Sequence, residues 1–467
     1  MPESKQTPAA ILWVIAAVQF LTPFMFSAIG VALPTIGREF SAGAVQLGLI
    51  EMAYILAVAL LLLPVGRFAD IHGRRKIFLS GTVLLTLATL ALATASTITL
   101  LIIFRFVQGM GAAMITSTSF AILTSVFPPE RRGRALGVVV GCVYLGISAG
   151  PTLAGLMIDY LGWRWIFYSA VPIEILILLF AATRLSGEWA DSRGEPFDWA
   201  GSLLYIIALG CLIVGILEAK QLSFAGWLAL GGTVMMIIFL IYENTARYPI
   251  FPLRKILGNR VFALSNIATW LNYAASFGIM FFFSIYLQVI RGISPKETGF
   301  ILITQPLLQA ICAPFAGKMA DKHNPAPIAT LGMAFCTIGL AAAATISAGT
   351  SFVFIFIVLI VMGIGFGLFS TPNTTAIMAS IDRRDYGMAS SLIATMRTTG
   401  MLTAMTLITL LLSWFLGAAP VTRETGHLFL SAMHAAMVIF SLLGCAGILC
   451  SLARTDRHSH THDDGAL

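Results

Sequence analysis

The chain has 467 residues, 58% of them hydrophobic and only 10% charged, with a formal net charge of +7 at pH 7. A soluble domain carries roughly a quarter charged residues, so this composition excludes an ordinary water-soluble fold and calls for the hydrocarbon of a bilayer. The six cysteines (Cys142, Cys211, Cys312, Cys336, Cys445, Cys450) lie in apolar segments without metal-ligand or redox spacing, which reads as core packing and no metal site.

A helix needs about 20 apolar residues to cross a bilayer. Such runs are predicted at 10–36, 44–65, 76–95, 98–125, 133–157, 164–185, 199–218, 224–243, 260–289, 297–317, 326–346, 352–379, 386–415 and 427–452, fourteen spans of an all-α protein. The first run is too long for a signal peptide and lacks a clear cleavage site, so it reads as a retained span. With both termini cytoplasmic, twenty of the 28 Lys and Arg fall in cytoplasmic segments. Arg38, Arg164, Lys220, Arg291, Lys296 and Arg423 fall on the other side, while Arg105 and Arg397 lie within spans. This positive-inside bias is expected of a multi-pass protein of a bacterial-type inner membrane. The net charge then reflects topology and contact with anionic lipid, and no nucleic-acid partner is expected.

Span one reads Phe24-Met25-Phe26-Ser27-Ala28-Ile29-Gly30-Val31-Ala32-Leu33-Pro34, with no acid. Span two carries Glu51 about seven residues in, roughly 10 Å deep at 1.5 Å per residue, and then Tyr54. After it comes Gly66-Arg-Phe-Ala-Asp70-Ile-His-Gly73-Arg74-Arg75-Lys76. Asp70 and Arg74, four apart at a helix end, are spaced for a charge pair, and Gly66 and Gly73 permit a tight turn. Span four opens Arg105-Phe-Val-Gln108-Gly109-Met-Gly111, with Arg105 at a depth similar to Glu51, so the two are placed to meet. In span five Gly146, Gly150 and Ala154 repeat along one face and let a second helix approach closely, with Pro151 distorting the helix and Gly155 following.

Trp163-Arg-Trp-Ile-Phe167 leads into span six, where Val171-Pro172 precede Glu174 near the midplane. The polar stretch Trp189 to Asp198 is expected at the cytoplasmic surface, before spans seven and eight. Span nine offers Asn266, Trp270, Tyr273, Phe277 and Phe281. Trp270, Tyr273 and Phe277 share a helical face, a stripe that equally suits lipid-facing or core packing. Gln305 and Gln309 in span ten and Asn373 in span twelve add amides, and Phe24, Met25, Tyr54 and Gln108 complete the expected substrate contacts. Such walls suit amphipathic or cationic lipophilic compounds through ring contacts and cation–π attraction. Span thirteen holds Arg397, and His434 in span fourteen reads as a packed histidine. The tail carries His458, His460 and His462, in a composition expected of a disordered segment.

Charges within spans are expensive and count as site hypotheses. Glu51, Arg105 and Glu174 are therefore the candidates for moving protons, with a structural Glu51–Arg105 pair as the plainer reading. An internal repeat sets the architecture. Gly66-Arg-Phe-Ala-Asp70-Ile-His72 reappears as Gly317-Lys-Met-Ala-Asp321-Lys-His323, and Arg131-Arg132 reappears as Arg383-Arg384. The surplus of about 60 residues between the copies corresponds to two inserted spans. The expected plan is a six-helix bundle at 1–185, a linker with two extra helices at 186–259, a second six-helix bundle at 260–452 and a tail at 453–467. Two such halves can rock about a midplane cavity.

In their order these stretches resemble the major facilitator superfamily, specifically its fourteen-span drug:proton antiporter family. The loop after span two is similar to G-x-L-A-D-x-x-G-R-R/K-R/K, and Arg105 to Ala113 to R-x-x-Q-G-x-G-A-A. Gly146 to Gly155 resembles the exporter-associated G-x-x-x-G-P-x-x-G-G, and Trp163 to Pro172 the family's entry to span six. The resemblance implies that the Asp70–Arg74 loop latches the two halves, with Asp321 in the second copy and Arg397 as further gating groups. Pro325 stands where Arg74 would recur, so the stronger latch is expected in the first half. It also implies that span five seals the far side against span eleven. One departure matters. The family's span-one pattern L-D-x-T-I-V-N has Met25 at the acid's place and Gly30 at the asparagine's, so either Glu51 or Glu174 carries the proton or transport is not proton-coupled. No P-loop, catalytic constellation or cofactor motif emerges, so the expectation is a transporter and not an enzyme, acting as a monomer on a small molecule and protons in membrane lipid.

Overall fold

The computed structural model describes residues 8–454 apart from 186, 219–222, 252–253, 255, 257 and 383–385. Tail residues His458, His460 and His462 and the pair Arg383-Arg384 lie outside the described residues. Among the described residues, fourteen helices are long and apolar enough to cross a membrane. They are Pro8–Phe40, Ala44–His72, Arg74–Ala93, Ile98–Val126, Pro129–Leu161, Trp165–Arg184, Trp199–Leu217 and Ala225–Thr245, then Arg260–Ile290, Pro295–Lys322, Pro325–Ala343, Phe352–Ala379, Tyr386–Phe415 and Gly426–Ala453. An even count returns the chain to the side on which it began.

Helix starts are written in side chains. Thr97 accepts from the Leu100 amide, Asp198 from that of Gly201, and Ser294 with Glu297 forms a capping box. Gly73, at φ +119°, turns the chain between spans two and three where an L side chain would be strained. Trp163 explains the entry to span six: its indole N–H donates to Glu39 at the end of span one (2.7 Å), and Arg164 pairs with the same carboxylate. Outward faces carry exposed apolar residues such as Leu176, Trp227, Ile241, Val353, Trp414 and Leu449, as a lipid environment requires.

The inserted spans seven and eight pack by close approach. A Cβ at Gly215 or Gly232 would run into the facing helix backbone at Ala229 or Leu212. Span seven is fastened to the first six helices by Tyr205, whose hydroxyl donates to the Ala59 carbonyl (2.9 Å).

By packing, the chain divides into two compact units that cut across the second six spans. Unit 1 comprises Met1–Pro252, Met280–Ile303 and Met405–Ala432; unit 2 comprises Leu253–Ile279, Thr304–Ala404 and Met433–Leu467. Spans nine and ten change unit where their helices are interrupted, at Phe277–Gly278 and at Ile303. Pro306, three residues on, removes an amide from the first turn of the renewed helix.

Inside unit 1 the helix ends farthest from the termini interlock. Ser284 Oγ of span nine donates to the Gly30 carbonyl of span one (2.6 Å), and Gln288 donates to that of Val31 (2.9 Å). Thr152 of span five donates to Gly299 O of span ten (3.3 Å), and the Ala44 amide of span two donates to Ala419 O after span thirteen (3.1 Å). These ends form a seam joining both six-helix sets.

Candidate functional site

Span five has partners other than the one expected. Gly146 lies against the Phe20 carbonyl and Gly150 against Ser27, both on span one. Gly155 faces Pro295 and Lys296 of span ten, and Pro151 O abuts Gly299. The expected span eleven is replaced by spans one and ten. The small-residue periodicity correctly marks a close-packed face but carries no information about which helix fills it.

The charged residues of the first half also differ in their pairing. Arg105 is fully buried, and among the described residues it makes no ion pair with Glu51 within 4 Å. Its Nη1 donates to Gln108 Oε1 (2.6 Å), its Nε to the Ile50 carbonyl (3.3 Å), and its guanidinium lies 4.5 Å from the Tyr54 ring centre. Neutral partners that reach the charge directly take the place of the carboxylate. Gln108 Nε2 donates onward to Thr89 Oγ1 (3.0 Å), and that hydroxyl shares its proton between Glu174 Oε1 (3.1 Å) and the Leu85 carbonyl (2.9 Å). A buried chain Arg105–Gln108–Thr89–Glu174 thus crosses spans four, three and six. Among the described residues, Arg105 Nη2 and Glu174 Oε2 have no hydrogen-bond partners at its two ends.

Glu51 stands apart from this chain. It is 6% exposed and has no hydrogen bond or ion pair among the described residues. Its Oε1 faces span one, 3.1 Å from where a Cβ on Gly30 would stand. Neither Thr89 nor Gly30 stands among the site residues expected from the sequence. Thr82, Thr86 and Thr89 recur along one face of span three, a signal that marks Thr89, whereas Gly30 carries none beyond its departure from the family pattern.

Of the residues expected to meet substrate, Phe24, Met25 and Tyr54 are buried in unit 1, with Tyr54 tilted against Phe26 at 5.2 Å. In unit 2, Trp270 backs onto Gly400. Tyr273 meets Phe366 edge-on at 5.1 Å and lies under Arg397, also at 5.1 Å. The helix break at Phe277 interrupts the predicted stripe, and Phe281 continues in unit 1. Asn266 Oδ1 and Gln305 Oε1 are buried without hydrogen-bond partners among the described residues, and Gln309 is buried nearby in sequence. Asn373 is engaged within unit 2. It donates to Ser265 O and Thr269 Oγ1 and accepts from Arg454 Nη1 (2.6 Å). His434 contacts the Ile346 carbonyl, as a packed histidine does.

The Asp70–Arg74 pair forms, with Arg74 Nε donating to Asp70 Oδ1 (2.7 Å). The linker after span six clasps it. Asp191 pairs with Arg74 (2.7 Å), Glu195 pairs with Arg67, and Ser192 accepts from Arg67 (2.9 Å). Gly66 packs near Ser117, and Gly73 leaves room for Glu188, whose carboxylate accepts from the Arg75 amide (2.8 Å). In the second copy Asp321 is exposed and has no ion-pair partner among the described residues. A separate apolar groove of about 360 Å³ lies between spans two, four and seven, lined by Leu49, Met52, Phe106, Ile213 and Leu217 with Glu218 at its edge.

The Major Facilitator Superfamily profile matches residues 15–264 and again 265–466. Similar proteins include the riboflavin transporter RibZ of Clostridioides difficile, 27% identical over 391 residues that span 83% of this chain and 84% of RibZ. The multidrug resistance protein Stp of Mycobacterium tuberculosis is 29% identical, covering 80% and 70% of the two chains. The multidrug transporter MdtP of Bacillus subtilis is 26% identical, covering 83% and 72%. Among solved structures, a bacterial homolog of the human lysosomal transporter Spinster shares the fold at TM-score 0.69 and 15% identity, covering 97% and 98%. The human organic anion transporter MFSD10 does so at 0.65 and 14%, covering 95% and 99%.

Proposed function

The chain belongs to the Major Facilitator Superfamily, and on that premise we propose that it exports small amphipathic or lipophilic compounds, cationic ones among them, by alternating access in exchange for protons. The observation that carries export is the glycine face of span five, closed on spans one and ten through Gly146, Gly150 and Gly155. Close packing of this kind supports a seal at that end of the helices. Two of the relatives above bear multidrug names, which supports the same reading. Glu51 and Glu174 are the buried carboxyls of the first six spans available to take up a proton, with Arg105 as the charge that responds. Substrate contacts come from Phe24, Met25 and Tyr54 in the first half and from Asn266, Trp270, Tyr273, Phe277, Gln305 and Gln309 in the second. Gln108 and Asn373 act through Arg105 and Arg454. The Asp70–Arg74 loop, Asp321 and Arg397 are the gating groups. The Lys and Arg bias supports cytoplasmic termini in a bacterial inner membrane, and one chain is the working unit.

Everted membrane vesicles with an acid lumen test this reading. Added ethidium, a lipophilic cation, is expected to release lumenal protons in vesicles containing the protein and not in controls. Ethidium movement with no proton release removes the exchange. A second reading, uptake of a small metabolite on the same fold, is favoured by the likeness to RibZ. Accumulation of riboflavin by intact cells that carry the protein would support uptake over export.

A further inference from the structure

We propose that Gly30 is the positioning residue that lets Glu51 serve as the coupling carboxylate in a span-one site that has no acid of its own. The inference rests on the proton-exchange reading and chooses between its two carboxyls.

Residue 30 has no side chain, and Glu51 Oε1 occupies the space beside it, 3.1 Å from the place of a Cβ. A methyl group there pushes the carboxylate aside by a few tenths of an ångström, and a longer side chain excludes it. Two departures from the span-one pattern bear on this. Met25 removes the acid from span one, and Gly30 admits an acid from span two against the same helix. Glu174 is differently placed, since its Oε1 already accepts from Thr89 at the end of a fixed chain.

Gly30 also connects this carboxylate to the seam. Its carbonyl accepts from Ser284 Oγ of span nine (2.6 Å), and the next carbonyl, Val31 O, accepts from Gln288 (2.9 Å). Burying an unpaired charge is costly, so gain or loss of a proton beside Gly30 changes the energy of the contact between spans one and nine. The charged and titratable surroundings are few. Arg105 on span four is the charge whose field reaches Glu51, and Tyr54 lies on the same helix. Span seven presents Glu218 to the neighbouring Leu49–Met52 face of span two. Span one presents Gly30, span nine Ser284 and Gln288, and span thirteen Thr406 beside Met52 and Thr409 beside Gly48, none of which titrates in the working range.

The test uses the full chain in everted vesicles, with ethidium transport measured against pH under an imposed gradient. Gly30→Ala is expected to shift the midpoint of the pH profile by about half a pH unit or more. Gly30→Asn is expected to reduce gradient-driven transport about tenfold or more. Glu51→Gln is expected to abolish gradient-driven transport, and adding Met25→Asp to it is expected to restore part, with a new pH midpoint. Membrane protein level and monodispersity in detergent identify any variant that fails to fold, and Gly30→Ala then carries the comparison. An unchanged pH profile in Gly30→Ala, with wild-type transport gradient-driven, overturns the inference and leaves proton exchange standing. Wild-type transport that ignores the gradient overturns both.

Discussion

Thr89 is a neutral residue that joins a buried amide to a buried carboxyl. Its hydroxyl receives the Gln108 amide and faces Glu174, so Thr89→Val strips a partner from each at a fully buried position. An unsatisfied buried polar group costs about 1–3 kcal/mol. Thr89→Val is therefore expected to lower the thermal midpoint of the purified protein in detergent by several degrees, and Thr89→Ser to recover most of it. Equal midpoints for wild type and Thr89→Val would show that the chain is not made. Glu51, Arg105 and Glu174 were legible in the sequence because ionised groups are rare in apolar runs. Their partners were not. A threonine in a spanning helix ordinarily bonds its own backbone, as Thr82 and Thr86 do here, and only distances reveal that Thr89 also reaches Glu174. Similar depth places Arg105 and Glu51 to meet, but depth along two helices says nothing about rotation around them, and Arg105 turns to Gln108 and Ile50.

Span five shows what periodicity carries and what it omits. Gly146 and Gly150 meet span-one backbone, whereas Gly133, Gly137 and Gly141 on the same helix have no neighbour within 4 Å of a would-be Cβ. Gly150→Leu is expected to force spans one and five apart and reduce ethidium export at least about tenfold. Gly137→Ala is expected to leave export and stability within about 0.5 kcal/mol of wild type. The comparison is read from transport in vesicles matched for protein level, and similar losses in both variants would sink the packing argument. The small-residue face was legible from a four-residue repeat, but its partners required the fold. Span nine makes the same point: the aromatic spacing predicts one face, and the interruption at Phe277–Gly278 divides it. The linker of span six was legible only as polar. Its acids Asp191 and Glu195 turn out to hold Arg74 and Arg67, so the repeated loop is clasped within the first half.

At the scale of the molecule, the six-plus-two-plus-six plan follows from a repeat offset and a length surplus, and the fourteen helices bear out the span count. The same arithmetic is silent on where compactness lies. The ends of spans nine, ten, thirteen and fourteen pack with the first eight helices as unit 1, through contacts such as Ser284 to Gly30 and Thr152 to Gly299. These contacts join residues more than a hundred positions apart, and no local pattern announces them. They place Gly30, and with it Glu51, at the seam, where proton uptake is proposed to act. The most direct test is proton movement in proteoliposomes of the purified protein, loaded with ethidium and reporting lumenal pH with a trapped dye. An outward ethidium gradient is expected to drive protons inward and acidify the lumen, abolished in Glu51→Gln. Ethidium efflux with unchanged lumenal pH, or with protons leaving alongside it, would contradict the account.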